Sequence, residues 1–235
     1  MNFSWEFVSQ TIGYVLKAVP MTLLLTFLPV IAGLILGFFL ALARIKKIPV
    51  LTGFITIYNS FFRSIPLVVL FFLAYYGIPK LINFTLNGGM RVVSVKDLNN
   101  NAVAIVTLIL YSSSFLGEIV RGALSSVDMK QKEAATALGM TEFQTYVRII
   151  IPQAITVALP NCFNFVLALL KGTSVVFTIS VVDMMSAAKL QAEYGYRYVE
   201  AYVIVGTIYI IFSLIFSQLF LFLERSAKRR MGQPA

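Results

Sequence analysis

Five long apolar runs dominate the sequence, and short polar stretches separate them. The runs cover residues 20–43, 54–78, 102–117, 152–170 and 201–223. A helix needs about 20 apolar residues to cross the hydrocarbon core of a bilayer, and the runs are of that order. The second run carries Arg63, so its membrane-buried part is expected to begin near Ser64. The pattern predicts five transmembrane helices.

Composition supports a membrane protein. Of the 235 residues, 59% are hydrophobic and 12% are charged, whereas soluble domains carry about 25% charged residues. The net charge of +9 does not indicate nucleic-acid binding, because the basic residues lie at the ends of the apolar runs, as is usual in membrane proteins. We predict an all-α integral membrane protein with one transmembrane domain at residues 20–223.

The distribution of Lys and Arg predicts an orientation. Five spans place eleven basic residues on one side of the membrane and six on the other, and the richer side is expected to be cytoplasmic. The richer side receives Arg44, Lys46, Lys47, Arg121, Lys130, Lys132, Arg148, Arg225, Lys228, Arg229 and Arg230. Residues 1–19 would then be an external N-terminal segment, residues 224–235 a cytoplasmic tail, and the loop at about 122–152 cytoplasmic. Asn87, Gly88 and Gly89 form a predicted external turn.

Residue counts exclude several kinds of site. The sequence has no histidine and a single cysteine, Cys162, so it lacks the ligands for a Cys/His zinc site and the residues of a Ser-His-Asp triad. The dipeptide Gly-Lys, which a nucleotide-binding P-loop requires, does not occur. We expect no catalytic residue, metal or cofactor in this chain, and any ATP-driven step would need a separate ATPase.

The loop before the fourth run has the pattern of a helical hairpin. Ser126 is a candidate cap for a short helix that ends near Leu138, and Asp128 and Lys132 have the i, i+4 spacing of an ion pair. Gly139 is a natural stop for that helix. Thr141 and Gln144 then have the spacing of a capping box that starts a second helix. Pro152 marks the entry into the fourth span.

The surface of this hairpin admits two interpretations. Its first helix carries the small residues Ala134, Ala135 and Ala137, with Leu138 as an apolar anchor and Glu133 as a charge. Small side chains let another protein approach the helix backbone closely. The alternative is a hairpin that packs only against its own spans.

The loop also resembles the signature loop of permease subunits of bacterial ABC importers. Glu133, Ala134 and Ala135 are followed after three residues by Gly139, and after nine more by Ile149, with Pro152 closing the pattern and Ile151 standing where Leu is usual. The segments FFRSIPLVVLFFLAYYGIP, FLGEIVRGALSSVDMKQKEAA and LLKGTSVVFTISVVD are similar to the polar amino-acid branch of that family. The likeness extends over about residues 20–223.

This resemblance implies a type I ABC importer fold and a set of partners. It implies two permease subunits (a homodimer or a similar heterodimer), two ATPase subunits that bind ATP and Mg, and an external solute-binding protein, in the bacterial cytoplasmic membrane. The family's loop docks into a cleft of the ATPase. Carried over by position, the coupling residues are Glu133, Ala134, Ala135, Leu138, Gly139 and Pro152.

Two polar stripes within the spans are candidates for a translocation path, because polar groups in a span usually face a bundle interior or a water-filled route. The third span carries Thr107, Tyr111, Ser114 and Glu118 on one helical face, and the fourth carries Asn161, Asn164, Ala168 and Lys171. The alternative is hydrogen bonding between helices as packing. Glu118 also has Arg121 one turn away as a simple partner.

The function that these observations predict is ATP-driven import of polar amino acids by a subunit that is not itself an enzyme. Cystine is a candidate substrate on overall resemblance alone. Three alternatives remain: an importer subunit for another small solute, an ion-driven secondary carrier and a membrane-embedded enzyme. Paired broken helices in inverted repeats are typical of carriers, and five spans do not divide into two equal halves.

Overall fold

The computed structural model describes residues 4–85 and 93–230, and these residues form nine α-helices. In chain order they are α1 (Trp5–Ile45), α2 (Leu51–Ser64), α3 (Leu67–Thr85), α4 (Asn100–Ser125), α5 (Met129–Ala137), α6 (Glu142–Thr145), α7 (Ile151–Gly172), α8 (Met184–Gly195) and α9 (Tyr198–Arg230). The predicted turn at Asn87, Gly88 and Gly89 lies outside the described residues.

Five helical stretches of the described chain are long and apolar enough to cross a membrane. They are Trp5–Ile45, Leu67–Thr85, Asn100–Ser125, Glu142–Ile179 and Tyr198–Arg229. The prediction of five spans in an all-helical protein is therefore confirmed.

The first helix is much longer than the apolar run that predicted it. Its 41 residues correspond to about 60 Å at 1.5 Å per residue, about twice the hydrocarbon thickness of a bilayer. Ser4 caps it by accepting a hydrogen bond from the backbone N–H of Phe7. Residues 5–19, expected as an external segment, thus form the first turns of α1, and at the other end of the chain α9 continues into the expected tail as far as Arg230.

The second apolar run is divided by a proline. Ile65 has an extended backbone (φ −94°, ψ 132°) between α2 and α3, as expected for a residue before proline, here Pro66. The spanning helix α3 begins at Leu67, close to the expected start near Ser64. The amphipathic helix α2 precedes it as a separate element.

The core is built around a close crossing of α1 and α4. A Cβ added at Gly37 would lie 2.7 Å from the backbone N of Gly117, and one at Gly33 would lie 2.6 Å from the Cβ of Ser112. Only glycine permits this approach, which is how small residues promote helix packing in membranes. Leu25 and Leu116 lie fully buried in the same core.

A buried polar cap joins the last two helices to α1. Asp183 is fully buried and caps α8 by accepting bonds from the N–H and hydroxyl of Ser186. The Tyr209 hydroxyl of α9 donates to the same carboxylate at 3.2 Å, and the backbone N–H of Met184 donates to the Thr22 hydroxyl of α1. These bonds hold α8 against α1 and α9.

Candidate coupling hairpin and translocation path

The hairpin begins with a cap that differs from the predicted one. Asp128 caps α5, with its side chain accepting from the N–H of Lys130 at 3.0 Å. Ser126, predicted for that role, instead ends α4, and its hydroxyl donates to the carbonyl of Ala123. The prediction was wrong because α4 continues to Ser125, well past its apolar run.

Gly139 ends α5 as predicted, and the bonds around it form a complete Schellman motif. Its φ is +77°, a left-handed conformation that glycine adopts without strain. Its N–H donates to the carbonyl of Thr136 at 2.9 Å, and the N–H of Met140 donates to that of Ala135 at 3.1 Å. These are the two bonds that define the motif, and they fix the angle at which the chain leaves α5.

The capping box at the start of α6 is present as predicted. The Thr141 hydroxyl accepts from the Gln144 N–H, and the Gln144 side chain accepts from the Thr141 N–H, at 3.2 and 3.0 Å. Lys132 does not pair with Asp128 as expected. Its ammonium lies 3.2 Å from the Glu142 carboxylate, because the turn at Gly139 folds α6 back towards α5.

Most of the predicted coupling residues form an exposed surface. Glu133, Ala134 and Gly139 are exposed, and Leu138 is 81% exposed. Phe143, at the start of α6, is 77% exposed. We call this surface the hairpin tip. An apolar surface so exposed on a short polar loop is characteristic of an interaction site.

Ala135 has a different place in the hairpin. Its side chain is only 1% exposed, so it packs against the hairpin's own chain and is unavailable to a partner. Pro152 is partly buried where the hairpin meets the fourth span. Neither residue belongs to the hairpin tip, and any role in coupling is indirect.

The hairpin joins the fourth span through a single π-helical turn. Tyr146–Ile150 form this turn, in which the N–H of Ile151 bonds to the carbonyl of Tyr146 five residues earlier. Pro152 follows directly, and proline has no N–H to continue the α-helical ladder and clashes with the carbonyl four residues before it. The wider turn accommodates that break, so the chain remains helical from Glu142 through α7.

Of the two predicted polar stripes, the one on α4 is largely internal. Thr107 and Ser114 are buried, and their hydroxyls donate to carbonyls of their own helix, those of Val103 and Tyr111. The Tyr111 ring is half-buried and packs 4.7 Å from that of Phe115, centroid to centroid. This geometry favours helix packing for Thr107 and Ser114.

Glu118, at the end of that stripe, is the centre of an ion cluster. One carboxylate oxygen contacts the Arg44 guanidinium of α1 and accepts from the Asn59 amide of α2 at 2.9 Å. The other oxygen accepts from Arg121 at 2.9 and 3.0 Å, so the simple pairing considered from the sequence is present. The cluster ties three helices together near the loop end of α4.

A cavity of about 460 Å³ opens beside this cluster. Its lining includes Arg44, Asn59, Ser60, Arg63, Phe115 and Glu118. Asn59 is only 6% exposed, and its Oδ1 accepts no hydrogen bond within the described structure. The Arg63 guanidinium lies 5.3 Å from the centre of the Phe115 ring. The cavity thus combines guanidinium groups, a carboxylate and hydroxyl groups.

The residues of α2 in this cavity were not predicted from the sequence. A signal existed, because Thr56, Ser60 and Arg63 recur at helical spacing within the second apolar run. The contact of Asn59 with Glu118 joins residues 59 positions apart, and no local pattern predicts such a pair.

The stripe on α7 lies on the surface of the single chain. Asn161, Asn164, Ala168 and Lys171 are all exposed. The Asn161 amide donates only to the carbonyl of Val157 in its own helix. Because α4 and α7 run in opposite directions, Glu118 and Lys171 lie near opposite ends of the helix pair.

Sequence comparison places these features in a known family. Residues 33–229 match the family described as binding-protein-dependent transport system inner membrane component. The chain belongs to this family. It is an ABC-importer permease of the polar amino-acid branch and an integral, multi-pass protein of the inner membrane.

Named relatives of the permease are amino-acid transporters. The probable amino-acid permease protein YxeN of Bacillus subtilis (strain 168) is 38% identical over 233 residues, 99% of this chain and 98% of that protein. The L-cystine transport system permease protein TcyL of the same strain is 33% identical over 229 residues, 97% of this chain and 92% of that protein.

Solved structures agree with the fold of the permease. A chain of an amino acid ABC transporter crystallised with histidines has a TM-score of 0.82 at 31% identity, covering 96% of this chain and all of that one. A chain of the inward-facing methionine transporter MetNI has a TM-score of 0.66 at 18% identity, covering 96% and 99% of the two chains. The type I importer fold is confirmed. Permease subunits of this family are not enzymes, and a partner ATPase hydrolyses the ATP.

Proposed function

We propose that this permease imports polar amino acids and is driven by a separate ATPase that engages the hairpin tip. The single observation that carries the proposal is the rigid hairpin from Met129 to Thr145, which exposes Leu138 and Phe143 and continues as helix into the fourth span. A displacement of the hairpin tip is therefore transmitted to the fourth span through continuous helix, with no irregular linker between them.

The partners that we propose are those that membership of the family implies. They are two ATPase subunits that bind ATP and Mg, an external solute-binding protein and a second permease subunit, identical or similar. The hairpin then faces the cytoplasm, the N-terminus lies outside and the C-terminus inside. The excess of Lys and Arg on the hairpin's side supports this orientation.

The translocation path is proposed to run along the exposed face of α7 and past the cavity beside Glu118. Asn161, Asn164 and Lys171 provide donors and acceptors on a face that the chain itself leaves open. The half-buried Tyr111 supports the path from α4, whereas the buried Ser114 serves helix packing. A second permease subunit packed against that face would enclose a polar route between the two subunits.

The chemistry of the cavity suits a zwitterion. Arg63 offers a guanidinium for a carboxylate, the form of recognition for which arginine is best suited. The hydroxyl groups of Thr56 and Ser60, which line the cavity and are exposed, can accept from an ammonium group. Both groups of an α-amino acid would therefore find a partner, while the side chain would decide the choice of substrate. Cystine is one candidate.

The test is transport by the reconstituted importer. Proteoliposomes containing the permease with its ATPase and binding protein should take up a labelled polar amino acid only when ATP is supplied. Uptake driven by an ion gradient without the ATPase would reject the proposal in favour of a secondary carrier. ATP-dependent uptake restricted to a solute other than an amino acid would reject the substrate class alone.

A second test addresses the hairpin itself. Glu133→Arg combined with Gly139→Val should leave membrane insertion normal and abolish co-purification of the ATPase. Unchanged co-purification would contradict the coupling role. Uptake assays on the Asn161→Ala variant report on the path independently, because that residue is remote from the hairpin.

A further inference from the structure

A second cavity, of about 380 Å³, lies between α1, α4, α7 and α9. Ala154 and Ala158 leave space on α7, one turn apart, and the stacked rings of Phe163 and Phe220, 4.3 Å between centroids, form a wall. Every lining residue is apolar, with the thiol of Cys162 as the single heteroatom among their side chains. We call this cavity the apolar groove.

The apolar groove lies on the side of α7 away from the proposed path. Ile155, Leu159 and Val166 line it. At 100° per residue they lie roughly opposite the exposed stripe of Asn161 and Lys171. A second permease subunit that covers the polar stripe would therefore leave the groove facing lipid.

Water is a poor occupant of the apolar groove, because an ordered water needs two to four polar partners and the lining offers none except the thiol. Leaving the space empty would forfeit dispersion contacts along four helices. Hydrocarbon satisfies the lining, and the four bordering helices all belong to the stretches able to span a membrane.

One end of the apolar groove lies on the hairpin side. Leu124 and Ile151, which line it, are the last-turn residue of α4 and the first residue of α7. Arg148 lies just before Ile151, and Arg225 lies about one and a half turns beyond Phe220 on α9. Both arginines are exposed, and neither has a carboxylate partner in the described chain. Glu224, beside Arg225, pairs instead with Lys228 at 2.8 Å.

We propose that the apolar groove binds one acyl chain of an anionic phospholipid from the leaflet on the hairpin side, with Arg148 and Arg225 holding its headgroup. Basic side chains near the surface attract anionic lipids, and the groove supplies the apolar contact that a freely exchanging lipid lacks. The inference rests on the membrane location, which the family establishes, and on the proposed contact of a second subunit with the polar stripe, but not on the identity of the transported solute.

The assembled importer is reconstituted in nanodiscs that contain equal amounts of phosphatidylglycerol and phosphatidylcholine. The importer is then extracted from the nanodiscs, and native mass spectrometry counts the lipids that stay bound to it. One phosphatidylglycerol per permease should remain. Arg148→Gln with Arg225→Gln should weaken the binding of phosphatidylglycerol about thirtyfold, and Ala158→Phe should abolish its retention by filling the groove. Gly13→Phe places the same ring on an open, exposed face of α1 and should change nothing.

A measurement on the unaltered protein guards against a misfolded variant. Phosphatidylglycerol with a photoreactive acyl chain should crosslink to residues 27–38 and 151–166. Equal crosslinking to exposed faces such as that around Ile57 or Ile211 would overturn the proposal. Equal retention of phosphatidylcholine would overturn it as well. So would crosslinking evidence that a second protein chain, and not lipid, occupies the groove.

Discussion

The Lys132 ammonium lies 3.2 Å from the Glu142 carboxylate, across the turn that joins the two helices of the hairpin. Ten residues separate the two in sequence, and the left-handed Gly139 brings them together. The Lys132 ammonium also lies 5.4 Å from the centre of the Tyr146 ring. The side chain of Lys132, which belongs to α5, thus contacts both α6 and the π turn.

This ion pair is expected to contribute little to stability. Glu142 is two-thirds exposed, and exposed pairs are worth about 0–1 kcal/mol. We predict that Lys132→Ala lowers the thermal midpoint of the purified permease by no more than about 4 °C and preserves binding of the ATPase. Glu133→Ala is the matched comparison at the hairpin tip and should weaken binding. Equal loss of binding in both variants would contradict the assignment of the tip.

Gly139→Ala tests the turn. A Cβ in the left-handed region costs about 1–2 kcal/mol, so the turn should open and the hairpin tip should lose its fixed angle. We predict uptake reduced roughly tenfold while ATP hydrolysis continues, a pattern that separates coupling from folding. Gly122→Ala is the control, because nothing lies within 4 Å of a Cβ built there. Full uptake by Gly139→Ala would show that the turn angle is not transmitted.

Gly37→Leu tests the α1–α4 crossing. An added Cβ would already lie 2.7 Å from the backbone of α4, and overpacking of this kind costs about 1–3 kcal/mol or more. We predict a lower yield of folded permease and a reduced thermal midpoint. Gly206→Leu, at a position where nothing lies within 4 Å of an added Cβ, should behave as wild type. Similar midpoints for the two variants would disprove the close crossing.

Glu118→Gln tests the ion cluster. The substitution leaves Arg44 and Arg121 facing a neutral group, and because both are partly solvated the cost should be about 1–3 kcal/mol, below that of a fully buried pair. Adding Arg44→Gln should recover part of the loss, since it removes one uncompensated charge. The thermal midpoints of the wild type, the two single variants and the double variant together give the interaction energy between Glu118 and Arg44. Additive losses would mean that the two side chains do not interact.

The sequence was sufficient for features that depend on neighbouring residues. Five spans follow from run length, and the stop at Gly139 and the capping box from Thr141 to Gln144 follow from local backbone chemistry. Those signals do not depend on the rest of the molecule, which is why they agree with the structure.

Features that depend on the tertiary fold were predicted less well. Ser126, predicted to cap α5, instead ends α4, which continues to Ser125 beyond its apolar run. Lys132 pairs with Glu142 across the turn at Gly139. No rule based on sequence spacing predicts the angle of that turn. The contact between Arg44 and Glu118 spans 74 residues and becomes visible only once three helices are assembled.

Pro152→Ala tests the link between hairpin and membrane. Alanine restores an N–H and removes the ring clash, so the π turn at Tyr146–Ile150 should revert to an α-helix. Closing that turn changes the rotation of the hairpin relative to α7, whose first residue is Ile151. We predict normal expression and ATPase binding, with uptake per ATP hydrolysed reduced several-fold. Electron paramagnetic resonance distances between spin labels at Phe143 and Asn164, each changed to cysteine in a Cys162→Ala background, report the rotation directly. An unchanged distance together with unchanged uptake would mean that the π turn is incidental to coupling.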